Sequence, residues 1–292
     1  MLRLLRSEIF RLRRRWMPWI LLFAIAVVPF LVYTLIYVSI SAQREAARSG
    51  AIPEKPEETQ ALAEALASLR PAEISDFGIG IVIGLGSVML IVLAASHVGA
   101  EFGWGTLRTL LAHGAGRTAF LAAKLASLAL YATLFVIVGT IAAIAASYVI
   151  SGFAGLATTP GVDLTETAGR AMRGLYTILP YMALASLIAV WSRSGGAGIA
   201  AGLVIFFAEG LVSQLVASLN RDLAKVVDYG LGRNVDAVQR AGVVLEGREA
   251  AAAAAAAPLP DALQATIVLA CWTTLFVALA YWRLRARDVT LS

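Results

Sequence analysis

Residues 77–98 read FGIGIVIGLGSVMLIVLAASHV, a run without Asp, Glu, Lys or Arg. Wound as a helix rising 1.5 Å per residue, such a run is about 30 Å long, the thickness of a bilayer's hydrocarbon core. Five other apolar blocks of comparable length lie at 17–40, 119–150, 175–191, 197–219 and 263–282. The pattern predicts an all-α membrane protein with six transmembrane helices, organised as a single transmembrane domain over 1–292. Pro180 falls inside the fourth block and blurs its start, while the third block is long enough to tilt or protrude.

Composition agrees. Hydrophobic residues make up 59% of the chain and charged residues 15%, against roughly 45–50% and about 25% in soluble domains, so the excess apolar surface needs lipid as its solvent. The net charge of +5 does not point to nucleic acid, because no basic stripe interleaved with stacking aromatics occurs outside the apolar blocks. Cys271 is the sole cysteine, which excludes an intramolecular disulfide, and its apolar block predicts a small buried hydrophobe.

The basic residues flank the spans unevenly. Arg3, Arg6, Arg11, Arg13, Arg14 and Arg15 precede the first, Arg108 and Arg117 follow the second, Arg193 follows the fourth, and Arg283, Arg285 and Arg287 follow the last. Segments rich in arginine resist translocation, so these ends are expected in the cytoplasm, and an even number of spans puts both termini there, in a cell membrane. Trp16, Trp19, Trp191 and Trp282 fall at the same ends, where an indole N–H stays hydrated. The apolar core of the first block is longer than that of a cleaved secretory signal.

Between spans, the expected extracytoplasmic segments are 41–75, 151–174 and 220–262. The first carries a predicted helix over 57–69. The last carries amphipathic stretches at 223–229 and 235–245 and an alanine run at 250–257, read as a short exposed helix or spacer. Before the first span, Leu2, Leu5, Ile9, Leu12 and Trp16 recur at helical spacing among arginines, which predicts an interfacial amphipathic helix over 1–16. Gly80/Gly84 and Gly198/Gly202 each have G-x-x-x-G spacing, which suits close helix packing within one chain and a dimer seam equally well.

Catalytic signatures are missing. H-E-x-x-H, G-x-S-x-G, C-x-x-C and the P-loop pattern do not occur. His97 and His113, the two histidines, are read as lacking a carboxylate or cysteine cluster, so no catalytic residue and no metal site is expected. Glu209 is the one acid deep in a span and is therefore a candidate for the translocation path, with a hydrogen bond to a neighbouring helix as the structural alternative.

The most informative loop is 99–118, which contains Glu101-Phe102-Gly103-Trp104-Gly105-Thr106-Leu107-Arg108-Thr109-Leu110-Leu111 and then Gly116-Arg117-Thr118, with Lys124 downstream. Residues 106–112 predict a short cytoplasmic helix with Leu107, Leu110 and Leu111 on one side, between turn-permitting glycines, a shape that docks into a groove on a soluble partner. This order resembles the loop after the second span of ABC-2 type permeases, the membrane subunits of ABC exporters. The closing Tyr281-Trp282-Arg283-Leu284-Arg285-Ala286-Arg287-Asp288-Val289 is similar to the tail of many such subunits.

The resemblance implies two permease subunits, as a homo- or heterodimer, around a path through the lipid. It also implies separate ATP-binding subunits that carry ATP and magnesium, this chain having no cofactor of its own. Glu101, Phe102, Gly105, Thr106, Leu107, Arg108, Leu110, Leu111 and Arg117 would then form the coupling element. The rival readings are a secondary transporter driven by an ion gradient through Glu209, and a membrane scaffold without transport. Nothing in the sequence selects a cargo.

Overall fold

The computed structural model describes residues 2–49, 56–103, 116–219, 228–242 and 259–286. Among them the chain is helical and has no strand, and six helices are long and apolar enough to cross a membrane. The protein is an all-α, multi-pass membrane protein.

Helix α1 is Leu2–Arg14 and α2 is Trp16–Arg48; the extended backbone of Arg15 between them (φ −86°, ψ 138°) breaks the helix. Helix α3 is Pro56–Ala67, followed by a 3-10 turn at Pro71–Ser75. Then come α4 (Phe77–Gly103), α5 (Arg117–Ala154), α6 (Leu164–Ser192), α7 (Gly195–Leu219), α8 (Leu231–Arg240) and α9 (Ala262–Ala286). The membrane-length helices are α2, α4, α5, α6, α7 and α9.

These are the six apolar blocks, but their ends differ from the expected ones. Helix α2 runs past 40 to Arg48 because the polar residues that follow are good helix formers and no breaker intervenes. Helix α6 starts at Leu164 instead of 175, since Asp163 Oδ1 accepts the backbone N–H groups of Thr165 (2.8 Å) and Glu166 (3.0 Å) and so caps it. Helix α5 has 38 residues, about 57 Å of helix, and extends beyond a ~30 Å hydrocarbon core. Helix α3 occupies the stretch expected to be helical, and α8 overlaps the expected 235–245 stretch. Residues 223–227 and the alanine run 250–257 lie outside the described residues.

Helix α2 illustrates how the spans divide between protein and lipid. Ile25, Pro29, Tyr33 and Ile40 are buried at helical spacing, whereas Phe23, Leu31 and Leu35 on other faces are exposed. A bilayer removes that cost, because hydrocarbon solvates leucine as well as a protein core does. Cys271 departs from expectation for the same reason. It is exposed, since α9 buries the stripe Ala265, Leu269, Phe276, Ala280 and Leu284, and position 271 falls off that stripe.

The chain forms two compact units. One comprises Arg13–Gly86 and Tyr131–Leu175. In it Tyr33 stands edge-on to Phe77 with ring centroids 5.3 Å apart, and the Tyr131 hydroxyl donates to the carbonyl of Pro18. Gly139 admits Val82 and Ile25; a Cβ there would stand 2.6 Å from Val82 Cγ1. Arg170 pairs with Asp76 and, at 3.6 Å, with Glu166. Among the described residues, nothing lies within 4 Å of the Cβ positions of Gly80 and Gly84.

The other unit comprises Met1–Leu12, Ser87–Leu130 and Tyr176–Ser292. Here the second G-x-x-x-G is used within the chain. A Cβ on Gly198 would stand 2.9 Å from Ala185 O, Ala189 Cβ and Ala95 Cβ, and one on Gly202 would stand 2.8 Å from Ile91. Helices α4, α6 and α7 meet through these small residues. Arg193 adopts a left-handed φ of 57° in the tight turn between α6 and α7, and the Ser194 hydroxyl accepts the N–H of Ala197 at 3.3 Å.

Candidate functional site

The densest constellation of charge in the second of these units joins α1, α4 and α5. His97 and Glu101 are one turn apart on α4, and Lys124 and Ser127 lie three residues apart on α5, so each pair shares a helix face. Glu8 and Arg11 approach from α1. Lys124 Nζ donates to Glu8 Oε2 at 2.9 Å and to Glu101 Oε1 at 3.1 Å. Arg11 Nη1 reaches Glu101 Oε1 at 3.2 Å and Glu8 Oε1 at 3.3 Å. His97 Nε2 is 3.4 Å from Glu8 Oε2 and 3.5 Å from the Ser127 hydroxyl. The face of Phe120 lies 5.3 Å from the ammonium, a further favourable contact for a cation.

Lys124, His97, Glu8 and Glu101 are 0%, 1%, 2% and 3% exposed, which decides the character of the site: four titratable side chains are out of water together. An isolated buried charge is too costly to persist, so the two carboxylates are compensated by the Lys124 ammonium and the Arg11 guanidinium. Burial pushes the Glu8 carboxyl up, but the His97 N–H and the Lys124 ammonium outweigh it and hold the group well down, at about 2 against an ordinary 4.5. Glu8 is therefore a carboxylate at any physiological pH. The arrangement fastens three helices; it has the chemistry of a clamp, its carboxylates already engaged by Lys124 and Arg11.

Several expectations change here. His97 does have a carboxylate beside it, Glu8, which was hidden in the sequence by the separation of the two positions. Glu101 is turned toward Lys124 and Arg11 and is buried, while Phe102, next to it, is partly exposed. Arg117 opens α5. Gly105, Thr106, Leu107, Arg108, Leu110, Leu111 and His113 lie outside the described residues, as does the side chain of Arg117. Two signals in the sequence point to the clamp. Glu8 is the lone acid of a basic helix and falls on its apolar side with Leu5 and Leu12, and Lys124 is a charge inside an apolar block. Charges on faces destined for burial require partners.

The second candidate, Glu209 on α7, also has partners. Its carboxylate is hydrogen-bonded by the backbone N–H groups of Leu231 and Gly232 in the first turn of α8, and by the Tyr181 hydroxyl of α6 at 3.3 Å. A helix N-terminus leaves such donors unsatisfied and carries positive potential, so an anion there stabilises it. Gly232 is the residue that fits: a Cβ there would stand 3.3 Å from Glu209 Cγ. Helix α8 is held from other sides too. Gln239 Nε2 donates to Thr177 Oγ1 (3.1 Å), Asn234 Nδ2 donates to the carbonyls of Asp228 (2.7 Å) and Gly230 (2.6 Å), and Trp272 Nε1 of α9 donates to Tyr229 O (2.8 Å). The structural alternative for Glu209, a hydrogen bond to a neighbouring helix, matches this geometry.

No curated protein matches the chain. Both sites lie in the part of it, α1 excepted, that a family match covers, from the start of α4 past the end of α9. On that match, which runs over residues 78–290, the chain belongs to the family described as Protein of unknown function (DUF2705).

Proposed function

We propose that this protein is the transmembrane subunit of an ATP-driven transporter, an ABC-2 type permease working as an exporter. Separate ATP-binding subunits hydrolyse the nucleotide, and a second permease subunit completes the path. Both termini are cytoplasmic, α1 lies in the membrane interface, and the 104–115 segment faces the ATPase.

The observation that carries this reading is the clamp formed by Glu8, Glu101, His97 and Lys124. Glu101 lies near the last residue of α4 and Lys124 near the start of α5, so the two helices that flank the 104–115 segment are ion-paired to each other and to α1. A force applied to that segment would move α4, α5 and α1 together instead of bending the loop alone. Glu101 is thus a positioning residue behind the docking element, and Leu107, Arg108, Leu110 and Leu111 are the groups proposed to meet the ATPase. The exposure of Trp16, Trp19, Trp191 and Trp282, at one end of their spans, supports the same orientation.

Glu209, engaged by two backbone N–H groups and a phenol, suits a fastener of α8 better than a site that loads and unloads an ion.

The test is copurification. The tagged full-length chain should bring down a soluble ATPase from its native membrane, and Arg108→Ala together with Leu111→Ala should weaken that association. Transport that follows a proton or sodium gradient, with no ATPase bound, would overturn the proposal.

A further inference from the structure

Helix α1 has two faces of opposite chemistry. Glu8 and Leu12 turn inward and are 2% and 4% exposed. Arg3, Arg6, Phe10, Arg13 and Arg14 are all exposed, and at helical pitch they fall within an arc of about 100° on the opposite side. That arc contains no acid. The bond from Lys124 to Glu8 fixes the rotation of the helix about its own axis, so the direction of the arginines is set by a buried contact and not by chance.

From this we infer that the arginine arc of α1 is a docking surface for anionic phospholipid headgroups. Position argues for lipid over a protein partner. Lys124, near the start of α5, bonds both Glu8 of α1 and Glu101 near the end of α4, so α1 sits where these membrane-length helices end and its arginines stand where hydrocarbon gives way to headgroups. Trp16 and Trp19, in the first turn of α2, are 82% and 53% exposed, and Phe10 is 54% exposed among the arginines. Aromatic rings at that depth seat in the acyl boundary, while guanidinium forks match phosphate oxygens in pairs. Helix α1 is therefore held from both sides, by the Glu8 carboxylate within the protein and by lipid phosphate outside it. The inference rests on the membrane-spanning reading and not on an ATPase partner.

The experiment uses the full-length chain, purified in neutral detergent and presented with equal amounts of phosphatidylglycerol and phosphatidylcholine, with retained lipid counted by native mass spectrometry. Wild type should retain phosphatidylglycerol in clear preference, and strong NaCl should reduce that retention on the order of tenfold. Each arginine near a charged surface is worth roughly fivefold, so Arg3→Gln with Arg6→Gln should weaken phosphatidylglycerol binding about 25-fold. The charge-keeping pair Arg3→Lys and Arg6→Lys should keep most of the preference. That second pair and the salt titration also carry the test if the neutralised variant fails to accumulate. Equal retention of both lipids by wild type would overturn the inference, as would an undiminished preference in the folded glutamine variant. Displacement of phosphatidylglycerol by inorganic phosphate would overturn it in favour of a free-anion site. Loss of ATPase copurification with lipid preference intact would overturn it in favour of a protein dock, and would leave the transporter reading standing.

Discussion

Lys124 Nζ lies 2.9 Å from Glu8 Oε2 across 116 residues of sequence, and neither side chain reaches solvent. The pair, with Glu101 on the other side of the ammonium, exists only because α1 folds back on the ends of α4 and α5. Each charge is tolerable because of the others, so removing one member is a different experiment from removing all.

Lys124→Ala leaves two buried carboxylates facing each other and is expected to cost about 3–5 kcal/mol. The charge-free combination Glu8→Gln, Glu101→Gln and Lys124→Met should recover at least half of the loss. Thermal unfolding midpoints of the detergent-solubilised proteins check both, and equal midpoints for Lys124→Ala and wild type would mean that the clamp bears no weight.

Acid should open the clamp from Glu8. Its folded-state value is depressed, so its contribution is complete above the ordinary 4.5 and is lost as pH falls toward 2. The shift from 4.5 to about 2 corresponds to about 3 kcal/mol. Wild type should therefore be more stable than Glu8→Gln at neutral pH, and the gap should close between about pH 4.5 and pH 2. Unfolding midpoints of both proteins across that range measure it; a gap independent of pH would refute the assignment.

Glu209→Ala should free the first turn of α8. Losing this hydrogen-bond acceptor lowers the local opening energy by about 1.4 kcal/mol, so amide exchange at Leu231 and Gly232 should speed up about tenfold. Glu209→Gln, which still accepts hydrogen bonds, should show a smaller change. Hydrogen–deuterium exchange over 228–242 reads the difference, and unaltered protection in Glu209→Ala would count against the fastening role.

The two G-x-x-x-G pairs should part company. Gly198→Val inserts bulk among Ala185, Ala189 and Ala95 and is expected to cost about 1–3 kcal/mol. Gly84→Val meets open space among the described residues, and its midpoint should stay within about 2 °C of wild type. A large loss at Gly84 would reveal a neighbour beyond the described residues.

The spans were legible because apolar length is a property of each segment alone. Their ends were less so: α6 starts where Asp163 caps it, and that signal lies in a polar stretch that hydropathy passes over. The clamp was legible only in part. Glu8 and Lys124 each stand out as a charge on an apolar face, but which charge meets which depends on how α1 packs, and no local pattern encodes that. Glu209 stood out for its depth, whereas its partners on α8 come from a helix reached through a polar connection. The expected docking residues from Gly105 to Leu111 belong to a segment outside the described residues, so the reading of that loop rests on its flanks.

Helix α5 has the proportions of a lever arm. An unbroken rod of about 57 Å that tilts by about five degrees about one end carries the other end through about 5 Å. No proline along Arg117–Ala154 offers a hinge at which such a tilt would be absorbed.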